Sequence, residues 1–353
     1  MTRLHVLQVT EVAGAGTLRV VEVLCDGLAE RGHRVTVVHG RTDTPGAFAG
    51  HDAHALSWDR RRPGTQLRAA RRLRRLISEV EPDVVHLHST FAGLAGGLVR
   101  RGSPPRVYTS HGWASSSPRR WPLPGLVTRG DRWIVRRADL VGAVSASDAA
   151  LGERLGARRV AVVPNGIPEI DVPAAPGPRS GPALVVSGGR LVPDRRPEEA
   201  AHILRAVGDV ASVGWIGGGD PEAEARLAAL GVEVTGWLPH AEAVERIAGA
   251  SAYLHWSACD GQSVAVLEAM ARDVVVIASD IPANRELLSP FQLCRTPDDA
   301  AAKLMKIVED PGLRAGLVDA QRRLRQHHGA SRMVQGWIGV YRSTIARAAG
   351  HSR

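Results

Sequence analysis

Short apolar runs alternate with amphipathic stretches along the whole chain. In the first half the runs fall at Leu4–Val9, Arg34–Val38, Val84–Leu87, Arg106–Thr109, Leu140–Ala143 and Val160–Val163. Between them, stretches such as Thr17–Arg31 and Thr65–Val80 repeat their apolar residues at helical spacing. Strand, helix, strand repeated in this way predicts parallel sheets of βαβ units. The pattern lapses at residues 168–182, a proline-rich segment with no periodic face, which reads as a linker. It then resumes, with runs at Ala183–Ser187, Ser212–Ile216, Val232–Thr235, Ala252–His255, Val274–Ala278 and Gln292–Cys294, and with helical stretches such as Glu198–Val207 and Asp220–Leu230.

The fold class expected is therefore α/β, two doubly wound domains in tandem: residues 1–167, the linker 168–182, residues 183–335, and a C-terminal helical segment 336–353 crossing back to the first domain. At 353 residues the length agrees with two domains. Ligands of such sheets bind at the strand carboxyl ends, so the site is expected in a central cleft faced by both domains.

Charge changes this picture in one respect. Residues 1–170 hold 25 arginines against 15 acids, and the remainder 20 basic residues against 21 acids, so the whole formal excess of +9 lies in the first half. Arg60–Arg62, Arg71–Arg72 with Arg74–Arg75, Arg100–Arg101, Arg119–Arg120 and Arg136–Arg137 carry much of it. Two readings stay open: a face that attracts anionic lipid or phosphate, or solvated helix faces in an arginine-biased protein whose only lysines are Lys303 and Lys306. Nucleic acid ranks lower, because no aromatics interleave the arginine pairs and no zinc finger, RRM or basic-zipper pattern surrounds them. Cys25, Cys259 and Cys294 are too widely spaced for a zinc knuckle or disulfide framework. With no leader and no apolar stretch of ~18 residues, the expectation is a cytoplasmic protein, at most peripheral on the inner face of the cell membrane.

Four segments carry candidate chemistry. The first βα turn, with Gly14 and Gly16, lets a ligand approach backbone N–H groups; equally it is a plain tight turn, and Arg19 stands where a dinucleotide fingerprint needs its third glycine. Arg190 and Arg195 lie five residues apart on a glycine-led loop and can grip a diphosphate from two sides, or lie in solvent with Asp194 paired to a neighbour. Asp260 and Glu268 bracket a segment leading into a helix whose first N–H groups, near Ser263 and Val264, favour phosphate, while Glu268 reaches ribose hydroxyls; a capping acid and an exposed glutamate fit the spacing as well. His86, His88 and His111 sit at strand ends, where a satisfied histidine is the commoner case. No metal-ligand spacing occurs, so neither metal nor cofactor is expected.

In order and spacing these segments resemble one family. The Gly14/Gly16 loop with Leu28-Ala29-Glu30-Arg31-Gly32-His33-Arg34-Val35, then Ser110-His111-Gly112, Ala143-Val144-Ser145 and Val163-Pro164-Asn165-Gly166-Ile167, are followed by Gly189-Arg190-Leu191, Gly217-Gly218-Gly219, Thr235-Gly236-Trp237-Leu238, the paired-acid segment, and Ser279-Asp280-Ile281 with Asn284-Arg285-Glu286. The chain resembles the retaining glycosyltransferases of family four, which have two Rossmann-like domains in the GT-B arrangement and take a sugar from a nucleotide-sugar co-substrate without metal.

The resemblance implies that Arg190 and Arg195 bind the donor diphosphate and stabilise the departing nucleotide. It implies too that Glu268 holds the ribose, that Gly217 and the backbone of Gly236, Trp237 and Leu238 meet the donor and its base, and that His111 contacts the donor sugar. Asp260 stands where relatives have glutamate, Gln262-Ser263 where Phe-Gly is common, and Arg272-Asp273 where a small residue and glycine are common. Those departures imply a changed sugar choice or a weakened enzyme. Leu87-His88-Ser89-Thr90-Phe91-Ala92-Gly93-Leu94 and His111-Gly112-Trp113 resemble exopolysaccharide members working on a lipid carrier, which implies a lipid-linked acceptor. The alternatives are a degenerate GT-B protein binding nucleotide or a partner without transfer, and a sugar-nucleotide epimerase on the same scaffold.

Overall fold

The computed structural model describes residues 2–11, 15–40, 46–56, 58, 63–99, 104–118, 124–168 and 183–350. Gly14, arginines 60–62, 100–101 and 119–120, and all of the expected linker except Pro168 lie outside the described residues.

The chain forms two compact units. The first comprises residues 1–116, 120–168 and 329–353, and the second residues 117–119 and 169–328. In the first, strands β1 (His5–Thr10), β2 (Arg34–His39), β3 (Asp52–Ala55), β4 (Val84–His88), β5 (Arg106–Thr109), β6 (Leu140–Ala143) and β7 (Val160–Val162) make one parallel sheet in the order β3-β2-β1-β4-β5-β6-β7. In the second, β8 (Leu184–Gly188), β9 (Ser212–Ile216), β10 (Glu233–Val234), β11 (Ala252–His255), β12 (Val275–Ser279) and β13 (Leu293–Cys294) make another, in the order β10-β9-β8-β11-β12-β13. A parallel sheet covered on both faces needs apolar residues on both sides of each strand. The central strands obey: β4, β5, β6, β11 and β12 are buried at every position. Each unit has its own core, with Tyr108 and Leu73 at the centre of the first and Trp215 and Leu204 in the second.

Strand β3 does not follow from the hydrophobic pattern. Its sequence Asp52-Ala53-His54-Ala55 lacks β-branched residues and lies at an exposed edge, where pairing with β2 and a 3.0 Å hydrogen bond from Thr36 Oγ1 to Asp52 hold it. Beyond residue 310 the chain forms two helices, Pro311–Arg325 and Ala330–Gly350. They break at Gly329, which bridges to Ile167, while the Ala330 N–H donates to the Ile167 carbonyl. The return to the first unit thus begins at Gly329, and the expected boundary at 335/336 falls inside the last helix.

Each of these helices has its own partner. Helix Pro311–Arg325 places Arg322 at 2.7 Å and Arg325 at 3.2 Å from the fully buried Asp273 carboxylate. Asp273 has φ +54, a left-handed conformation that aspartate tolerates better than most residues. Helix Ala330–Gly350 packs on helix Ala15–Glu30, where a Cβ on Gly27 would come within 2.6 Å of Val334.

No described helix is long and apolar enough to cross a membrane. The arginines of helix Pro63–Val80 (Arg71, Arg72, Arg74 and Arg75) are exposed, as a solvated face would be.

Candidate functional site

In a parallel sheet every loop that follows a strand emerges at the same edge. In the second unit that edge gathers Gly189 and Arg190 after β8, Gly217 after β9, Gly236 after β10 and the segment 256–263 after β11. The glycines are held together: Gly189 N–H donates to the Ile216 carbonyl, Leu191 N–H to the Gly218 carbonyl, and Gly217 bridges Gly236. Gly217 has φ +118, and a Cβ there would strike the Gly189 carbonyl oxygen at 2.5 Å, so only glycine fits. Trp237 follows with 58% of its surface exposed, while Leu238 is half-buried. Arg190 is exposed at the loop tip.

Arg195 turns inward from a short 3₁₀ turn, Pro193–Arg195. Its Nη1 donates to Asp260 Oδ2 at 2.7 Å and to Ser257 Oγ at 2.9 Å, and lies 3.3 Å from His255 Nε2. His255 Nε2 is 3.4 Å from the same carboxylate oxygen. Burial raises the Asp260 pKa, but the Arg195 guanidinium and the His255 contact overcome it and hold the carboxyl below the usual carboxylate range. Burial lowers the Arg195 pKa in turn, and Asp260 more than restores it. Asp260 is therefore a fixed anion whose partner is one of the two expected diphosphate cations, and Asp194 is not what Arg195 pairs with.

Beyond Asp260, Ser263 caps helix Val264–Ala271 by accepting from the Val266 N–H at 3.4 Å. Ser263 and Val264 are buried. About one turn into the helix, the Glu268 carboxylate lies 3.3 Å from His240 Nε2.

The first unit carries a second polar cluster, inside its core. His86 and His88 alternate along β4, their rings 3.9 Å apart, and both are buried. A left-handed turn at His111 (φ +54) and Gly112 (φ +119) folds the half-buried His111 ring back over His88. One direction of hydrogen bonding satisfies the set. Gln8 Nε2 donates to the Tyr341 hydroxyl at 3.2 Å, so Gln8 Oε1 accepts from His88 Nε2 at 2.7 Å. His88 Nδ1 is then an acceptor for His111 Nε2 at 2.9 Å. The Tyr341 hydroxyl donates in turn to His86 Nδ1 at 2.8 Å, and His86 Nε2 to Thr109 Oγ1 at 2.9 Å. Each ring carries one proton, and His111 keeps the lone pair of Nδ1. Burial holds His86 and His88 well below the ordinary histidine value and lowers His111 to about 4.

Gly16 lies in the first turn of helix Ala15–Glu30. Nearby, the buried Glu11 carboxylate receives the N–H groups of Phe91 and Ala92 at 3.2 and 3.0 Å, so the N-terminus of helix Thr90–Leu98 is filled by the protein's own acid. Ser110 and Trp113 are structural: the Ser110 hydroxyl donates to Asp148 Oδ1 and the Trp113 ring N–H to the Asp148 carbonyl.

Sequence reasoning missed Gln8, Tyr341, His240, His255 and Ser257. His255 was within reach, since it ends strand β11 as His88 ends β4; Gln8 and Tyr341 are 333 positions apart and no local pattern joins them. No group of three or more His, Cys, Asp or Glu among the described residues is placed to hold a metal ion.

Comparison with known proteins gives the family. Residues 14–169 match Glycosyltransferase Family 4, and residues 171–324 match Glycosyl transferases group 1. No curated protein sequence matches the chain. Among solved structures it is similar to sucrose-phosphate synthase from Thermosynechococcus elongatus, with TM-score 0.83, 17% identity, and coverage of 98% of this chain and 100% of that one. It is similar as well to HepE from Anabaena in complex with UDP, with TM-score 0.77, 16% identity and coverage of 96% and 100%. A third is the apo lipopolysaccharide outer core galactosyltransferase WaaB, with TM-score 0.70, 17% identity and coverage of 96% and 99%. Two Rossmann-like units and family matches that together run from residue 14 to residue 324 lead to one conclusion: the chain belongs to glycosyltransferase family four and is a glycosyltransferase of the GT-B fold.

Proposed function

We propose that the enzyme transfers a sugar, with retention and without metal, from a UDP- or GDP-linked donor to a hydroxyl acceptor. The observation that carries this reading is the Arg195–Asp260 pair at the mouth of helix Val264–Ala271, with Glu268 about one turn beyond. Trp237 and the backbone of Gly236 and Leu238 receive the base, Glu268 the ribose, and Gly217 with the N–H groups near Ser263 and Val264 the phosphates. Arg190 and Arg195 grip the diphosphate, which competes with Asp260 for the Arg195 guanidinium and frees that carboxylate for the hydroxyls of the sugar. HepE, a similar fold, binds UDP and UDP-glucose.

The chemistry needs no protein nucleophile. The bond from the anomeric carbon to phosphate oxygen breaks, its electron pair leaving with the nucleoside diphosphate. The acceptor oxygen bonds to the anomeric carbon on the same face, and its proton passes to the departing phosphate oxygen. Two guanidinium groups supply the charge stabilisation that a metal supplies elsewhere. His111, held neutral, offers Nδ1 as an acceptor to a donor-sugar hydroxyl. Gly14 and Gly16 let the first-unit loop approach the substrates. The acceptor is lipid-linked, and the arginine excess of the first unit holds the enzyme at an anionic membrane surface.

A thermal-shift and donor-hydrolysis screen against a panel of nucleotide sugars, with and without EDTA, tests the reading. One donor should stabilise the protein, lose its effect in Arg190→Ala and be indifferent to EDTA, and NMR of the product should show the anomeric configuration retained. Silence toward every donor would sink the proposal, a requirement for divalent metal would sink the metal-free clause, and an inverted product the retaining one.

A further inference from the structure

The first unit carries an open surface pocket, its arginines exposed to solvent, that the transfer reaction leaves unused. Helix Pro124–Arg137 presents Arg129, Arg132, Arg136 and Arg137 to a space of about 570 Å³, which Trp133, Gly156 and Arg158 also line. Among the described residues no acid lines it. Its wall is partly built in advance: Trp133 packs directly against the Gly97 backbone, where a Cβ would come within 2.4 Å of the ring. Arg137 stacks over that ring at 4.9 Å and donates to the Gly97 carbonyl at 3.2 Å. Gly156, with φ +96, turns the chain at the rim.

Within its own sheet the pocket lies at the edge opposite the histidine cluster. Arg137 lies three residues before β6 and Arg158 two before β7, so the cavity opens at the amino ends of these parallel strands. His88, Thr109 and His111 lie at or just beyond the carboxyl ends of β4 and β5, the opposite edge of the same sheet.

Helix physics explains only part of the arrangement. Arg136 and Arg137 stand in the last turn, where cations complement the helix dipole. Arg129 and Arg132 stand further back, and Arg132 faces Arg136 at i,i+4, a like-charge spacing that destabilises a helix. Five guanidinium groups around one space call for an anion of more than one charge. The planar guanidinium fork matches phosphate oxygens two at a time. The volume lies within the ~300–1,000 Å³ range of ligand cavities.

We propose that this cavity binds a ligand carrying two or more phosphate groups, at a site separate from that of the nucleotide sugar. The proposal does not depend on which sugar is transferred. Two sources share the chemistry, a soluble oligophosphate and a phospholipid headgroup at a membrane surface, and the test separates them.

Inorganic tripolyphosphate is titrated against the full-length protein by calorimetry, and co-flotation is measured with phosphatidylcholine vesicles with and without phosphatidic acid. The variants are Arg132→Gln/Arg136→Gln, a second pair Arg129→Gln/Arg158→Gln in case the first folds poorly, and Arg74→Gln/Arg75→Gln, which removes the same charge from an exposed helix of the same unit. UDP titration and circular dichroism serve as controls for the second unit and for folding. The expected result is saturable binding of at least one probe, weakened at least tenfold by a cavity pair and less than twofold by the Arg74/Arg75 pair, with UDP binding unchanged. Tripolyphosphate binding without flotation identifies the soluble source, and flotation that tripolyphosphate does not displace identifies the headgroup. Equal losses in cavity and control variants, binding of both probes weaker than ~1 mM, or tenfold preference for a single-stranded oligonucleotide over both probes would overturn the proposal.

Discussion

Arg195 and Asp260 hold each other at 2.7 Å with the carboxylate only 10% exposed, so removing either partner leaves the other at a disadvantage. Arg195→Ala should cost on the order of 2 kcal/mol, below the ~3–5 expected for a fully buried pair because Arg195 remains 29% exposed. The pH dependence should change with it. In the wild type the Asp260 pKa is depressed, so its contribution is present above the ordinary carboxylate value and fades as pH falls. In the variant, burial acts with no guanidinium to oppose it, the pKa rises, and the buried carboxyl is better tolerated when protonated. Denaturant titrations should therefore show the stability deficit shrinking from pH 7 to pH 4. Trp237 makes the opposite case: at 58% exposure it does little for the fold, and Trp237→Ala should leave Tm nearly unchanged. If the indole stacks on the base, UDP affinity should nonetheless fall by ~5–150-fold, the equivalent of ~1–3 kcal/mol, in a calorimetric titration. Loop position and residue type sufficed to nominate Arg190, Arg195, Asp260 and Glu268 from the sequence. That Asp260 would take Arg195 as its partner was not legible there, since their 65-residue separation is closed only by the pairing of β8 with β11.

Several elements meet at the hydrogen-bonded chain of β1, β4, β5 and the last helix. Its histidines are held below their ordinary pKa by burial, so the unfolded chain binds more protons than the folded one, and stability rises with pH. The contribution is whole above pH ~6.5 and is lost as pH falls toward the His111 value of about 4. Hydrogen exchange should show β4 and β5 losing protection across that window. Packing between β6 and the last helix is equally specific. A Cβ at Gly142 would sit 2.3 Å from the buried Trp337 ring, which has His86 and Tyr341 against it and cannot swing aside. Gly142→Ala should destabilise by ~1–3 kcal/mol, as overpacking does, measurable by urea denaturation. The pattern of apolar runs predicted every described strand except β3, which escaped because an exposed edge strand has no buried face to write into its sequence.

For the whole molecule, alternation of strands and helices sufficed to predict two doubly wound units, since each strand covered on both faces must be apolar throughout. The point where the chain returns to the first unit was not visible, because the break at Gly329 is set by its bridge to Ile167 and by the partners of helices Pro311–Arg325 and Ala330–Gly350, which no local pattern records. Those partners are Asp273 in the second unit, and helix Ala15–Glu30 with Gln8 and His86 in the first. Deleting residues 330–353 should therefore expose peptides of the first unit to limited proteolysis while those of 183–325 stay protected.

The last helix also has a consequence for the order of events at the ribosome. Translation proceeds at ~5–20 residues per second, and domains ordinarily mature in the order they emerge. Here the downstream unit is continuous apart from residues 117–119, whereas the upstream unit is finished only by its final 25 residues. The half made first is thus completed last, and a nascent chain interrupted before Ala330 would carry Gln8 and His86 without the Tyr341 hydroxyl that both of them bond.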